Sequence, residues 1–415
     1  MTSEPVVALP GNTSDLVSVL LACIRTERKG RLALVGGAVR DALLHQVNRD
    51  PHQELLDIDF VFEGSCFDLA QRLQQMLGRE RLSHLQLHQN FGTAELQIDG
   101  LSIDLARART EIYPAPGLNP LVEPGSLEKD LARRDFTVNA MAVLLQPDGR
   151  RLLMDPHGGQ EHLVKRQLAF LHEGSVKDDP TRVIRAARYG ARLGFRLAPE
   201  ALSQLKSTLT EWPWTWRHGD PVAAVPPALG TRLRMELDLL LDQEPWPEAL
   251  GLLQEWTAMP LLDPWLQCDS RLKRRLGWAV RLGLPAMAAF VAAASDPVAL
   301  ARRLQIPEQQ QRWLEELIEL RSWLLQEVIS HPWAEWTALD WTQRIEAGRW
   351  SAEAVALAVL DNPPCRRSLL CWWGRWRHVV SPISARELMA EGLRPGPELG
   401  EALRQARAQL LAGMR

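Results

Sequence analysis

Apolar positions in the first half of this chain change spacing repeatedly, and each change marks an element. Leu32-Ala33-Leu34-Val35 is an apolar run that stops at Gly36-Gly37. Ala38-Val39-Arg40-Asp41-Ala42-Leu43-Leu44 then takes up a helical period, so the pattern predicts strand, glycine turn and helix. A second apolar run over residues 55–62 follows a polar loop and carries Asp57 and Asp59. Upstream, Asn12-Thr13-Ser14-Asp15 caps an amphipathic helix that starts at Leu16. Residues 65–77 have helical period, 85–98 read as strand-like segments around His88-Gln89-Asn90-Phe91-Gly92-Thr93-Ala94, and 101–106 as a further strand. From Leu202 onward the chain reads as helices rich in Leu, Ala, Arg and Trp. The expected fold is an α+β N-terminal part, a small mixed sheet with helices, followed by an all-α C-terminal region.

Composition supports that division. All 16 tryptophans lie at or beyond Trp212, and both tyrosines, Tyr113 and Tyr189, lie before it. A chain of 415 residues with 46% apolar and 24% charged positions has ample core for several domains. No run approaches the ~18 apolar residues of a membrane span, and the N-terminus lacks a basic segment followed by an apolar one. The sequence therefore predicts a cytoplasmic protein with no membrane partner. Its five cysteines (Cys23, Cys66, Cys268, Cys365, Cys371) are scattered without Cys-x-x-Cys, which predicts reduced thiols and no zinc site. A net charge of −3 does not advertise nucleic-acid binding, but phosphate contacts need only a local basic patch.

Four stretches stand out, three of them with candidate chemistry. In a strand, Asp57 and Asp59 share a face, where two like charges repel unless a cation lies between them. A divalent ion with oxygen ligands, most simply Mg²⁺, relieves that repulsion; two solvated acids at a strand end are the plainer alternative. Gly36 and Gly37 before a helix let backbone N–H groups approach a phosphate. Asp104, on the strand over 101–106, is either a third carboxylate for the same ion or an outward-facing polar position. Next, Arg133-Arg134-Asp135 with Asn139 at helical spacing makes one polar face. Arginine forks suit phosphate oxygens, and an asparagine amide suits a ribose hydroxyl. Asp155-Pro156-His157-Gly158-Gly159-Gln160-Glu161-His162-Leu163 is a third stretch, to which no chemistry is assigned. In the fourth, Asp178-Asp179-Pro180 caps a helix on which Arg182, Arg185, Arg188 and Arg192 share one side.

These stretches, in this order, resemble the nucleotidyltransferase superfamily with a polymerase-beta-like palm. More narrowly, they resemble the class II tRNA nucleotidyltransferase and bacterial poly(A) polymerase family. Gly-Gly-x-Val-Arg-Asp with Asp-x-Asp looks like its first motif, Arg-Arg-Asp-Phe-Thr-x-Asn-Ala its second, and Asp-Asp-x-x-Arg-x-x-Arg its base-reading motif. His162 departs from the third, which usually carries Asp there. The resemblance implies that Asp57 and Asp59 hold Mg²⁺ and that Gly36, Gly37, Arg40, Arg133 and Arg134 cradle a triphosphate. It further implies that Asn139 serves the nucleotide sugar, with Asp135 among the nucleotide-binding residues, and that Asp179 and Arg182, with Arg185 beside them, read the base. An ionised Asp only accepts and an Arg only donates, so such a pair suits cytosine and adenine and rejects uracil and guanine. In the family, a flexible loop preceding the strand over 101–106 helps accommodate the final nucleotide; here that segment is short.

The implied organisation is a catalytic head over 1–165, a helical neck with the base-recognition helix over 166–240, a helical body over 241–345 and a tRNA-binding helical tail over 346–415. The implied activity is template-independent addition of C and A from CTP and ATP to the tRNA 3′ end. A poly(A) polymerase or a partial enzyme adding only CC or only A is the alternative within the class, and a catalytically inactive RNA-binding protein the alternative outside it. Arg271, Lys273, Arg274, Arg275 and Arg281, and the arginine–tryptophan stretch over 365–378, are candidate RNA surfaces, with helical core as the competing reading of the tryptophans. Ser384–Met389 and the Pro-Gly-Pro turn at 395–397 resemble the family's tail. Oligomeric state leaves no mark in the sequence.

Overall fold

The computed structural model describes residues 13–25, 30–48, 57–89, 92–330 and 333–414; the side chain of Asp57 lies outside the described residues. It opens with α1 (Thr13–Arg25), β1 (Leu32–Val35), α2 (Gly37–Asn48), β2 (Asp57–Phe62), α3 (Cys66–Arg81), β3 (Leu82–His88), β4 (Thr93–Ile98) and β5 (Leu101–Arg107). A ribbon of β6 (Arg109–Ile112) and β7 (Leu121–Pro124) follows, then α4 (Leu127–Ala132), β8 (Ala142–Leu145), β9 (Arg151–Met154) and α5 (Gly159–Val164). Seven of these strands form one mixed sheet in the order β3-β4-β5-β2-β1-β8-β9, with β2 and β5 parallel and the other pairs antiparallel.

The hydrophobic pattern explains the layering. All four residues of β1 are buried, as a central strand covered on both faces requires. β4 alternates, with Ala94, Leu96 and Ile98 inward and Glu95 and Gln97 outward. Cys66, Leu69, Ala70, Leu73 and Leu77 give α3 one buried stripe, and Ser65 caps it by accepting from the Asp68 N–H at 3.2 Å. Gly78, at φ 65°, breaks that helix before its last turn.

Beyond the sheet come β10 (Gln167–Leu168), α6 (Ser175–Asp178), α7 (Thr181–Leu193), β11 (Arg196–Leu197), α8 (Pro199–Glu211), α9 (Thr231–Gln243) and α10 (Trp246–Glu255). α10 packs on α7 where Gly190 leaves room: a Cβ there would stand 2.8 Å from Leu252 Cδ1. Trp212, Trp214 and Trp216 are buried, so this aromatic cluster is core. The α+β part followed by helices is the expected fold.

The chain divides into two compact units. One comprises the chain up to Arg217 with Pro226–Glu236 and Gln243–Ala258; the other comprises His218–Val225, Leu237–Asp242 and everything from Met259. The second is helical, its longest helix being Glu308–Ser330 and its most apolar Ala352–Leu360, of which Ala354 to Leu360 are all buried. None of the five cysteines is in a disulfide.

Candidate active site

A cleft of about 990 Å³ opens in the first unit. It gathers Gly36, Gly37 and Arg40 from the β1–α2 turn, Asp59 from β2, Arg133, Arg134, Asp135 and Asn139 from the segment after α4, and Asp179, Arg182 and Arg185 from around the start of α7. Eleven of the expected site residues thus line one space. Asp104 is exposed and lies outside that lining, one strand further out.

At the floor, β1 ends at Val35 and the chain turns through Gly36 at φ 73°, a conformation that suits glycine. A Cβ on Gly36 would stand 2.9 Å from Asp59 Oδ2 and 3.8 Å from Arg134 Nη1. The turn therefore brings a carboxylate and a guanidinium against the first backbone amides of α2. The strand register pairs Asp57 with Ser102 and Asp59 with Asp104, so these four positions share a face of the sheet. The Asp59 carboxylate is a hard oxygen donor of the kind a small divalent ion takes; among the described residues no group of three or more His, Cys, Asp or Glu is placed to hold one.

Asp130, buried on α4, fixes the arginine pair. Its Oδ1 accepts from Arg133 Nη2 at 2.7 Å and its Oδ2 from Arg134 Nη2 at 2.9 Å. Burial alone would raise its carboxyl, but the charges of Arg134 and Arg133 outweigh that and hold it below the usual range. Arg133 is also tied to Glu111 at 3.0 Å, whereas Arg134 leaves Nη1 toward Gly36 and a buried Nε without a partner.

Asp135 and Asn139 do meet, but not on the helix that their spacing suggested. Thr137–Asn139 is a single 3₁₀ turn, and Asn139 Nδ2 reaches back to Asp135 Oδ1 at 3.1 Å. Asp135 Oδ1 also accepts the Phe136 N–H at 2.8 Å, which competes with a regular helical turn. Asn139 Oδ1 accepts from Arg40 Nη1 at 2.9 Å, so the amide's orientation is set from both ends. Asp135 Oδ2 faces Arg185 Nη2 at 3.0 Å. The position that departs from the family's third motif joins here too: His162 Nδ1 lies 3.0 Å from Thr137 Oγ1. Asp155 caps α5 by accepting the Gly159 and Gln160 N–H groups at 2.6 and 2.9 Å.

At the opposite wall, Asp179 and Arg182 are each 3% exposed. Pro180 occupies the cap position of α7, and Asp179 Oδ1 accepts from the Thr181 hydroxyl and N–H at 2.6 and 3.2 Å. Asp179 Oδ2 accepts from Arg232 of α9. Arg182 donates through Nη2 to the Arg133 carbonyl at 3.1 Å and through Nη1 to that of Ser175 at 3.5 Å. The arginine face of α7 meets acids, with Arg192 still exposed: Arg185 and Arg188 meet Glu236, and Arg188 and Arg192 meet Glu244 at 3.3 and 3.4 Å.

Several lining residues escaped the sequence reading. Tyr189, under the guanidinia of Arg40 and Arg192 at 5.4 and 4.9 Å, sits between Arg185 and Arg192 at helical spacing and was legible there. Arg109, Glu111, Tyr113 and Arg232 carry no local signal.

In the second unit, Trp278 of the helix Leu272–Arg281 lies under two cations, Arg281 at 5.1 Å and Arg366 at 4.1 Å. Burial and the neighbouring charge of Arg274 lower the Arg366 pKa. Among the described residues, Arg274, Arg281, Arg366 and Arg367 form no ion pair. Trp372 and Trp376 are buried, so the tryptophans of 365–378 are mainly core.

Residues 32–169 match the Poly A polymerase head domain. The chain is 34% identical over 389 residues to a CC-adding tRNA nucleotidyltransferase of Deinococcus radiodurans, covering 92% of this chain and 84% of that protein. It is 34% identical over 246 residues to an A-adding tRNA nucleotidyltransferase of Aquifex aeolicus, covering 59% of this chain and 27% of that one. Its fold matches a CCA-adding enzyme solved in an apo form, with a TM-score of 0.74 at 24% identity over 97% of this chain and 92% of the other.

Proposed function

The chain belongs to the class II tRNA nucleotidyltransferase and poly(A) polymerase family, and on that premise we propose that it adds C, A or both to the 3′ end of tRNA from CTP and ATP, releasing pyrophosphate. The observation that carries this reading is the single cleft joining Asp59, the Gly36–Gly37 turn, Arg134, Asn139 and the Asp179–Arg182 pair. A pure RNA-binding protein has no use for that combination.

The α2 amides and Arg134 Nη1 bind triphosphate oxygens. Arg40, with its fork spent on Asp41 and Asn139, orients the sugar contact. Asn139 keeps one N–H and one lone pair for a ribose hydroxyl. Asp179 accepts the exocyclic amino group of cytosine or adenine. The primer's terminal 3′-oxygen then bonds to the α-phosphorus as pyrophosphate leaves. Enzymes of this family generally use divalent metal ions; Mg²⁺ on Asp57 and Asp59 would acidify the 3′-hydroxyl and neutralise the leaving pyrophosphate. The Arg274–Arg281–Arg366 surface meets tRNA phosphates, and a neck, body and tail at the expected boundaries measure the tRNA. No helix among the described residues is long and apolar enough to cross a membrane.

A narrower reading, CC addition, is favoured by the relative matched over most of the chain. Labelled CTP and ATP offered to tRNA transcripts ending before the final three nucleotides, after C and after CC test both. CC followed by one A establishes a full CCA enzyme, CC alone the narrower one, and a long A tail a poly(A) polymerase. No incorporation by the wild type with tRNA still bound would sink the catalytic reading. Asp59→Asn is expected to abolish incorporation and retain tRNA binding.

A further inference from the structure

Transfer needs the primer's terminal 3′-oxygen at the α-phosphorus, so the last nucleotides of the acceptor strand must run along a wall of the cleft. In the reading above, the floor around Gly36, Asp59 and Arg134 takes the triphosphate, and the wall around Asp179 and Arg182 takes the incoming base. The β6–β7 ribbon forms a third wall, to which neither task falls. Its register pairs Glu111 with Val122 and Ile112 with Leu121, so alternation divides it into two faces. Arg109, Glu111, Tyr113 and Val122 share the face that lines the cleft, whereas Ile112 and Leu121 lie on the other.

That cleft face has the make-up that single-stranded nucleic acid takes, a cation beside aromatic and aliphatic surface. Arg109 spends Nε and Nη2 on Glu111 Oε1, at 3.1 and 2.9 Å, and among the described residues its Nη1 has no hydrogen bond. Its side chain is 28% exposed, so an anion in the cleft can reach it. Glu111 Oε1 also holds Arg133 at 3.0 Å, so one carboxylate oxygen serves two guanidinia. The Tyr113 hydroxyl donates to Glu111 Oε2 at 3.4 Å. Burial raises that hydroxyl's pKa, and so does the Asp179 carboxylate, so the ring stands within electrostatic reach of the base reader. Val122 on β7 is 53% exposed, an aliphatic side chain left open on the wall of a polar cleft.

We propose that the cleft face of the β6–β7 ribbon seats the unpaired 3′ end of the primer: Arg109 donates through Nη1 to a phosphodiester of its last nucleotides, and Tyr113 and Val122 pack against their bases. Glu111 is the positioning residue, because one side chain holds the Arg109 and Arg133 guanidinia and the Tyr113 hydroxyl. This rests on the reading that the cleft transfers nucleotides to an RNA 3′ end. The contacts are to backbone and to base faces, so the seat takes any base and leaves the choice of nucleotide to Asp179 and Arg182.

The test uses the full chain, CTP and a tRNA primer whose synthetic 3′ segment carries either ordinary phosphodiesters or a neutral methylphosphonate at one of its last two linkages. The wild type is expected to use the neutral primer at least about tenfold less efficiently in kcat/KM at one of those linkages, the loss of a hydrogen bond between charged groups. In Arg109→Gln that penalty should shrink to within about twofold, with KM for CTP also within about twofold of the wild type. A penalty that persists in Arg109→Gln, or that is absent from the wild type at both linkages, overturns the proposal, because a purely structural Arg109 does not couple to one phosphate. Two exposed neighbours on opposite faces test the seat without touching the core. Val122→Glu should raise KM for the primer by about tenfold and leave KM for CTP unmoved. Leu121→Glu, at a position 60% exposed on the far face, should leave both constants within about twofold. Equal effects of the two on the primer, or an effect of Val122→Glu on CTP alone, overturn the seat. No incorporation into the ordinary primer by the wild type takes down the nucleotidyltransfer reading and this proposal together, whereas incorporation without the coupling removes the seat alone.

Discussion

Asp135→Asn isolates the charge at the centre of the cleft. The substitution keeps the shape and still offers an oxygen to the Phe136 N–H and the Asn139 amide, so what it removes is the charge facing Arg185. Breaking a fully buried pair from one side costs ~3–5 kcal/mol. The Arg185 side chain is 35% exposed to the cleft and has Glu236 at 3.6 Å as a second counter-charge. Screening and that second partner bring the expected cost down to about 2 kcal/mol at pH 7. Thermal unfolding followed by circular dichroism should show the first transition lowered by about 4–8 °C for a unit of this size. The pH dependence sharpens the test. Burial alone would raise the Asp135 carboxyl, but Arg185, the Asn139 amide and the Phe136 N–H outweigh it and hold it below the usual range. A depressed carboxyl contributes stability that is full above its unfolded value of ~3.9 and is lost as pH falls through the folded value. The gap between wild type and variant should therefore narrow as the pH drops below about 4. No gap at pH 7, or a gap of constant size down to pH 3, would refute this account of the pair.

Gly36→Ala should cost only ~1–2 kcal/mol in stability for the positive φ. Because the added Cβ would stand 2.9 Å from Asp59 Oδ2, single-turnover incorporation should fall by at least about a hundredfold. The triple change Arg274→Gln, Arg281→Gln and Arg366→Gln should weaken tRNA binding in filter assays. It should also reduce the log–log salt slope by ~0.7–0.9 for each phosphate no longer neutralised, with KM for CTP unmoved. An unchanged slope would show that those cations face no RNA.

The sheet was legible because its rule is local: alternation places Ala94, Leu96 and Ile98 inward, and the apolar run of β1 marks a strand covered on both faces. The cleft's floor was legible for the same reason, since glycine turn, helix start and paired acids are neighbours in the chain. Asp135 and Asn139 show where periodicity misleads. Their four-residue spacing reflects one side chain bonding another across a 3₁₀ turn, which an α-helical period imitates. The arginine face of α7 shows a second limit. Taken alone, the helix reads equally well as solvated, and only Glu236 and Glu244, far along the chain, give that face its counter-charges. Arg232 is illegible because its meaning depends on a carboxylate 53 positions earlier.

Those long separations have a consequence for how the chain is made. The sheet is complete once β9 has left the ribosome, whereas the counter-charges for Arg188 and Arg192 wait for Glu236, 48 positions after Arg188, and for Glu244. At ~5–20 residues per second that delay is on the order of 3–10 s. During it, a strongly basic helix without its acids hangs beside a polyanionic particle. The nucleotide-selective half of the cleft is thus assembled late in translation, and a nascent chain stalled near Arg217 would carry a formed sheet but no working base reader.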